Sequence, residues 1–149
     1  MIEYRRAGPA DAAALAGLRL EFMRLIKDLG PEEELAWRAE LVGLFSSELS
    51  SGSLRAWVAV EGGRVVGASG LAVGPGRAAP GSGEILNMYT VPELRGRGIG
   101  TALLGLALGE ARALGLGRLR LQPTDSGRPL YERAGFRDEG RGMVLDLTR

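Results

Sequence analysis

The chain has 149 residues, enough for one domain with its own core, and it contains neither Cys nor His. It therefore lacks the residues for a disulfide, a thiolate metal site or a Ser-His-Asp triad, and we expect no metal cofactor. The net charge of +1, with acidic and basic residues interspersed, argues against a nucleic-acid partner. No apolar run reaches membrane length, so we expect a cytoplasmic protein in which residues 1–149 form a single domain.

The first half of the chain predicts one strand, two helices and a hairpin. Residues alternate in the first stretch, and apolar residues then recur at helical spacing on both sides of Gly30-Pro31. Gly62-Gly63 lies between two runs of strand-forming residues and supplies the positive φ angles that a tight hairpin turn needs. The predicted bounds are 2–6 for the strand, 9–29 and 32–49 for the helices, and 54–61 and 64–73 for the hairpin.

The second half of the chain alternates strands and helices. Residues 74–83 are rich in Gly, Pro and Ala, which is typical of an exposed loop. Pro92 ends the strand after this loop, and a glycine-rich turn at 95–100 leads into an apolar helix. Strands are predicted at 84–91, 119–122 and 143–147, and helices at 101–114 and 127–134. This order predicts an α/β fold in which helices cover both faces of a mixed, mostly antiparallel sheet.

The segment from Val91 to Thr101 indicates a binding site. Its glycines let the backbone approach a ligand closely, and the start of the following helix presents unpaired N–H groups and a partial positive charge. Arg95 and Arg97 add charge, so the segment is suited to bind a pyrophosphate. It lacks the Lys of a nucleoside-triphosphate P-loop and the Gly-x-Gly-x-x-Gly spacing of the dinucleotide fingerprint.

Two motifs together resemble a known family. Arg95-x-x-Gly98-x-Gly100, after a strand that ends Tyr89-Thr90-Val91-Pro92, resembles the acetyl-CoA motif of the GNAT superfamily of N-acetyltransferases. The later run Leu130-Tyr131-Glu132-Arg133-Ala134-Gly135-Phe136 resembles the second signature of that family, a Tyr on a short helix followed by Gly-Phe. The order of elements matches as well, so the resemblance covers nearly the whole chain and implies the acyl-CoA N-acyltransferase fold.

The resemblance implies where acetyl-CoA, the expected co-substrate, binds. In the family, the strand carrying the first motif splays away from the next strand, and the pantetheine arm enters the gap. Backbone groups of Tyr89 and Val91 are implied to pair with this arm. The side chains of Arg95 and Arg97 either touch phosphate or are solvated. An Asn that bonds the arm in many members is missing, and Thr124 either takes its role or leaves the contact unmade. The amides implied to hold the pyrophosphate are those of Gly96, Arg97, Gly98, Ile99, Gly100 and Thr101.

The resemblance also implies catalytic residues. Family members often use the Tyr corresponding to Tyr131 to protonate the departing CoA thiolate, and a phenol suits this role in a chain without His. The alternative is a ring that only packs under the cofactor. Glu84, the acid on the central strand, is the candidate general base acting through water; otherwise it is a solvated charge. Strict alternation places Glu84 and Tyr89 on opposite faces of the strand, so Glu84 faces the acceptor only if a bulge shifts the register.

The main interpretation is direct acetyl transfer from acetyl-CoA to a primary amine of a small molecule, peptide or protein. No acyl-enzyme is expected, since the chain has no Cys to hold the acetyl group. The alternatives are a non-catalytic acetyl-CoA-binding regulatory domain and a phosphate-binding module for another nucleotide. A homodimer would cover a sheet edge.

Acceptor recognition is expected from the first two helices and the 74–83 loop. Acidic side chains on or near these helices either favour a cationic acceptor or are ordinary exposed helix acids. Trp37 and Trp57 are expected in the core. The acids in question are Glu21, Asp28, Glu32, Glu33 and Glu34.

Overall fold

A seven-stranded sheet forms the centre of the protein, and the computed structural model describes residues 1–75 and 78–148. The strands are β1 (Glu3–Arg6), β2 (Leu54–Glu61), β3 (Arg64–Ala72), β4 (Ser82–Thr90), β5 (Arg118–Leu121), β6 (Arg137–Glu139) and β7 (Gly142–Asp146). The α-helices are α1 (Ala12–Ile26), α2 (Pro31–Ser51), α3 (Ile99–Ala113) and α4 (Arg128–Arg133), with short 3-10 turns at Pro9–Asp11 and Pro92–Leu94. The strand order is β1-β2-β3-β4-β5-β7-β6, and only β4 and β5 are parallel among these neighbours. The predicted mixed, mostly antiparallel sheet is confirmed.

Helices cover both faces of this sheet, as predicted. On one face, the buried Ser69 hydroxyl of β3 donates a 2.9 Å hydrogen bond to the carbonyl of Leu103 in α3. On the other face, the ring of Tyr89 in β4 packs edge-on against Phe22 of α1, with the ring centroids 6.3 Å apart. Cross-strand partners share a face. The partner assignments therefore tell which β4 side chains point toward α1 and which point toward α3.

The predicted bounds of several elements agree with the observed bounds to within two residues. The strand β2 has the predicted bounds, and Gly62 and Gly63 both adopt positive φ angles, 57° and 79°, in the hairpin turn. The strand β4 and the helix α3 each begin two residues before the predicted position. The helix begins at Ile99 because Gly98, at φ 83°, caps it directly. In the predicted loop at 74–83, residues 76 and 77 lie outside the described residues.

The strand β6 has no counterpart among the predicted elements. It pairs with β7 across a turn at Gly140, where φ is 64°, and all its residues are exposed. Three charged residues carry no alternating hydrophobic pattern, so the pairing partner decides their conformation. A short, charged edge strand resists pairing with another chain. This edge of the sheet is therefore poorly suited to a homodimer contact.

The two tryptophans differ in burial. Trp57 of β2 is 6% exposed, which confirms its place in the core. Trp37 of α2 is 38% exposed, so the expectation that it belongs to the core is wrong. The helix α2 buries Leu41 and Phe45 instead, which lie one and two turns further along. None of the described helices is both long and apolar enough to cross a membrane.

Candidate active site

A gap opens between the parallel strands β4 and β5. The two strands pair only where they begin, at Ser82↔Arg118, Gly83↔Leu119 and Glu84↔Arg120. The strand β4 then continues to Thr90, whereas β5 ends at Leu121 and is followed by Pro123, which has no N–H to continue a ladder. The far half of β4 therefore has backbone groups that no neighbouring strand uses on this side. This divergence is the gap that the sequence resemblance implies.

A β-bulge lies in the far half of β4. The pairing with β3 shifts by one residue between Ala68↔Tyr89 and Gly70↔Leu86, so that Asn87 and Met88 together lie opposite a single residue of β3. Asn87 has a φ of 55°, in the left-handed region. An extra residue of this kind is left unpaired and bends its strand. The bulge therefore turns additional backbone groups of β4 away from β3 and toward the gap.

The bulge also corrects the predicted faces of β4. Glu84 pairs with Ala72 and Tyr89 pairs with Ala68, two residues of β3 that lie on the same face. Since Tyr89 contacts α1, Glu84 also points to the α1 side of the sheet. The expectation of opposite faces under strict alternation is thus wrong. The register shift that Glu84 needs in order to share a face with Tyr89 is present.

Glu84 lies at the closed end of the gap. It lines a small cavity of about 90 Å³ together with Ala78, Ser82 and Arg120, and it has no hydrogen-bond or ion-pair partner in residues 1–75 and 78–148. Arg120 itself pairs with Glu139, at 3.3 Å. The Glu84 carboxylate thus lies in this cavity beside the Arg120–Glu139 pair.

The backbone at the end of β4 is arranged differently from the expectation. The N–H of Val91 donates to the carbonyl of Val66 at 2.9 Å, and the carbonyl of Val91 accepts from the amide of Leu94 at 3.1 Å. Backbone direction alternates along a strand, so Tyr89 also faces β3, whereas Thr90 faces the gap. Neither Tyr89 nor Val91 thus presents its N–H to a ligand between β4 and β5. The Thr90 amide faces the gap instead.

The side chain of Arg95 braces this strand end. Its Nε donates to the carbonyl of Thr90 at 2.9 Å, and its guanidinium lies 5.2 Å from the centre of the Tyr89 ring. Burial and the nearby Glu21 carboxylate raise the pKa of Tyr89 above its ordinary value. Tyr89 is therefore neutral, and the Nε of Arg95 is engaged within the protein.

The glycine-rich turn presents a continuous set of backbone donors. Gly96 and Gly98 adopt positive φ angles of 81° and 83°, and a side chain at either position would meet open space. The helix α3 begins with the bond from the Ala102 amide to the Gly98 carbonyl, at 3.0 Å. In the described part of the chain, no amide from 96 to 101 donates to a protein acceptor. Arg97 is exposed beside them and makes no ion pair with the described residues. These donors and this charge suit a pyrophosphate.

Tyr131 lies on α4, which packs against the start of α3. A side chain at Gly100 would lie 3.4 Å from Leu130, so α3 and α4 approach closely here. The Tyr131 ring is 7% exposed and meets Phe136 edge-on at 6.0 Å. Burial raises the pKa of Tyr131 to about 12. Its hydroxyl makes no hydrogen bond to the described residues, so it is a neutral phenol able to donate a proton.

Thr124 has a local structural role. Its hydroxyl oxygen accepts the amide of Gly127 at 3.1 Å, just before α4 begins. Its backbone carbonyl accepts the amides of Gly127 and Arg128, both at 3.1 Å. Thr124 thus stabilises the turn that leads into the helix carrying Tyr131. The Thr124 hydroxyl also lies 3.4 Å from the hydroxyl of Ser126.

A second, larger cleft lies between α1, α2 and the start of β3, with a volume of about 320 Å³. Of the acidic residues expected to favour a cationic acceptor, Glu34 pairs with Arg24 and Arg38, and Glu33 pairs with Lys27. Glu21 lines the cleft.

Residues 1–75 and 78–148 contain no group of three or more metal-ligating side chains.

The chain is similar in sequence and in fold to known acetyltransferases. A sequence profile of the acetyltransferase (GNAT) family matches residues 22–136. A glucosamine 6-phosphate N-acetyltransferase of Trypanosoma brucei brucei is 36% identical over 90 residues, which span 57% of this chain and only 59% of that relative. A predicted acetyltransferase of Clostridium acetobutylicum, solved with acetyl-CoA, superposes with a TM-score of 0.80 at 27% identity, over 99% of this chain and 96% of that one. A GCN5-related N-acetyltransferase of Ralstonia eutropha gives a TM-score of 0.79 at 28% identity, over 94% and 95%.

Proposed function

The chain belongs to the acetyltransferase (GNAT) family, and on that premise we propose that it transfers an acetyl group from acetyl-CoA directly to a primary amine. The observation that carries the proposal is the continuity of two binding features. The β4/β5 gap leads from Glu84 to the bulge, and the free amides of residues 96–101 follow directly after the strand end. A gap between two strands next to a set of free amides suits a pantetheine arm with its pyrophosphate.

We assign the cofactor contacts from this geometry. The amides of Gly96 through Thr101 hold the pyrophosphate, and Arg97 adds charge from the solvent side. The backbone of Thr90 and of the bulge pairs with the pantetheine arm, in place of Tyr89 and Val91. Arg95 holds the strand end in position through its bond to the Thr90 carbonyl. Thr124 supports the site by bonding the turn that leads into α4, and its hydroxyl is the group that would contact the arm.

The chemistry follows from the two candidate catalytic residues. The amine nitrogen forms a bond to the thioester carbonyl carbon, and the carbon–sulfur bond then breaks. Tyr131, a neutral phenol, donates its proton to the departing thiolate. Glu84 takes the proton of the attacking amine through water. Replacing Glu84 by Gln is expected to lower turnover and to remove the acidic limb of the pH–rate profile; an unchanged profile would exclude it as the base.

The acceptor is an amine of unidentified structure. The relative from Trypanosoma brucei brucei is named for glucosamine 6-phosphate, which makes this amino sugar the first acceptor to test. Amino acids, polyamines and peptide N-termini complete a useful panel. Initial-rate patterns distinguish direct transfer, with its ternary complex, from a ping-pong route through an acyl-enzyme.

A thermal-shift titration with acetyl-CoA, CoA, ATP and NAD tests the cofactor before any acceptor is known. A ligand at about 100 times its dissociation constant adds roughly 2.7 kcal/mol to the free energy of unfolding. For a domain of this size, that is a shift on the order of several degrees. We expect shifts with acetyl-CoA and CoA only. Binding without transfer across the panel would favour a regulatory acetyl-CoA-binding domain, and no shift would contradict the proposal.

A further inference from the structure

Asn87 has an unusual backbone conformation. Among the described residues it is the one non-glycine residue with a positive φ angle. Glycine adopts this conformation without cost, whereas other residues are strained in it, although Asn tolerates it better than most. A strained residue persists where the surrounding structure holds it in place.

The side chain of Asn87 is held by helix α1. The Nη1 of Arg19 donates to the Asn87 Oδ1 at 3.4 Å. The Arg19 guanidinium also lies 5.8 Å from the centre of the Phe22 ring, one turn further along α1. Most arginines of the described chain pair with a carboxylate, but Arg19 has no such partner among those residues. The contact to Asn87 is thus the polar contact that the structure gives to this guanidinium.

These contacts continue along β4. Phe22 meets the ring of Tyr89, and the Arg95 guanidinium lies over that ring while Nε bonds the Thr90 carbonyl. Two arginines therefore hold the segment from Asn87 to Thr90, one at the bulge and one at the strand end. This is the segment that β5 leaves unpaired. Helix α1 supplies from one face the support that a neighbouring strand supplies elsewhere in the sheet.

We propose that Arg19 is a positioning residue for the acyl-CoA gap, which acts through Asn87 to hold the β4 bulge in its gap-facing conformation. This inference rests on the proposed function. A glycine at position 87 would adopt the same φ angle but would leave the bulge untethered. An Asn bonded to Arg19 keeps the angle and adds the tether. The tether fixes the direction of the backbone groups that meet the pantetheine arm.

A double-mutant cycle tests this coupling. The variants are Arg19→Met, which removes the guanidinium but keeps an unbranched side chain, Asn87→Gly, which keeps the backbone angle, and the double variant. Arg112→Met, an exposed arginine in the last turn of α3, is the matched control. Acetyl-CoA and CoA affinity by calorimetry, melting temperature without ligand, and kcat and KM with an acceptor from the panel are the readouts.

We expect each single variant to weaken acetyl-CoA binding about tenfold, and the double variant to be no weaker than either single one. The loss falls on KM for acetyl-CoA, with kcat changed by less than about twofold, because the tether acts on binding geometry. The control retains wild-type affinity. Arg19→Lys, which keeps a donor and the stem, is expected to recover part of the affinity and serves if Arg19→Met folds poorly.

The two proposals fail in different ways. Wild-type protein that binds neither acetyl-CoA nor CoA would contradict the proposed function. Wild-type binding together with additive losses in the double variant would overturn only the role of Arg19 through Asn87, because Arg19 would then act independently. A fall in melting temperature with unchanged acetyl-CoA affinity would overturn it as well, since Arg19 would only stabilise the fold.

Discussion

The β2–β3 hairpin and the β4–β5 pair belong to one sheet but use their backbones differently. The hairpin pairs from Leu54↔Ala72 to Glu61↔Arg64 with one register shift between Ala59 and Val60, and most of its residues are buried. The β4–β5 pair makes contact only at its start and then diverges. Paired backbone groups stabilise the fold, whereas unpaired groups are available to a ligand. The difference shows that binding capacity here comes from an interrupted ladder within an otherwise complete sheet.

Two turn glycines share a backbone conformation but lie in different surroundings. Gly63 in the hairpin turn and Gly98 in the turn before α3 have nearly equal φ angles, 79° and 83°, and open space around the missing side chain. Their local requirements are the same. What differs is the surroundings: the hairpin turn joins two paired strands, and the other turn precedes a helix start with free amides.

The largest expected effect is on turnover. We expect Tyr131→Phe to lower kcat by at least about 100-fold, because the phenol proton that neutralises the departing thiolate is lost. The melting temperature and acetyl-CoA affinity should change little, since the hydroxyl makes no hydrogen bond to the described protein. Steady-state kinetics at saturating acetyl-CoA measure the change, and a variant with full turnover would reduce Tyr131 to a packing residue.

A substitution that destabilises a paired part of the sheet should leave acetyl-CoA binding unchanged. In Gly142→Ala, the new methyl would lie 2.6 Å from the carbonyl oxygen of Leu121, so β5 and β7 must separate. We expect a loss of about 1–3 kcal/mol in the free energy of unfolding. Chemical denaturation measures it, and acetyl-CoA affinity of the folded fraction should match wild type. Gly105→Ala, at an exposed and open site in α3, is the control and should be stabilising by up to about 1 kcal/mol.

Alanine substitutions at the two turn glycines distinguish backbone strain from loss of acetyl-CoA binding. Gly98→Ala and Gly63→Ala should each destabilise the fold by about 1–2 kcal/mol, because alanine is strained at these φ angles. Only Gly98→Ala should also weaken acetyl-CoA binding, by about tenfold, since it displaces amides that face the pyrophosphate. Equal loss of affinity in both variants would mean that binding follows stability alone.

The smallest expected effect concerns acid stability in the paired region. Asp146 of β7 accepts hydrogen bonds from Arg118 at 3.0 Å and Arg137 at 2.9 Å, and these hold its pKa below the ordinary value. The folded protein therefore releases this proton more readily than the unfolded chain. The stabilisation is present above the unfolded pKa, about 3.9, and is lost as pH falls through the folded pKa.

Melting curves of wild type and Asp146→Asn from neutral to acid pH test this sign. Wild type should be slightly more stable near pH 7, and the difference should vanish below the folded pKa. Because the pairs are exposed, added salt should reduce the difference. A difference that grows toward acid pH would contradict the assignment. Acetyl-CoA affinity at neutral pH should be equal in the two proteins.

The amino-acid sequence by itself determined the features that depend on neighbouring residues. The hairpin at Gly62-Gly63, the glycine-rich turn, and the placement of Tyr131 on a short helix all follow from local conformational preferences and motif spacing. These preferences act within a few residues. They are therefore readable without knowing what packs against the segment.

The tertiary structure alone decided which residues face the gap. The bulge at Asn87, the common face of Glu84 and Tyr89, and the existence of β6 depend on pairing with residues distant in the chain. Asn is depleted in strands, so Asn87 is the one local sign of an irregular conformation in this part of β4. Its partner Arg19 lies on another element, and no local pattern connects the two. Strand register is a property of pairs of segments, so the direction of each backbone donor is set only when the sheet forms.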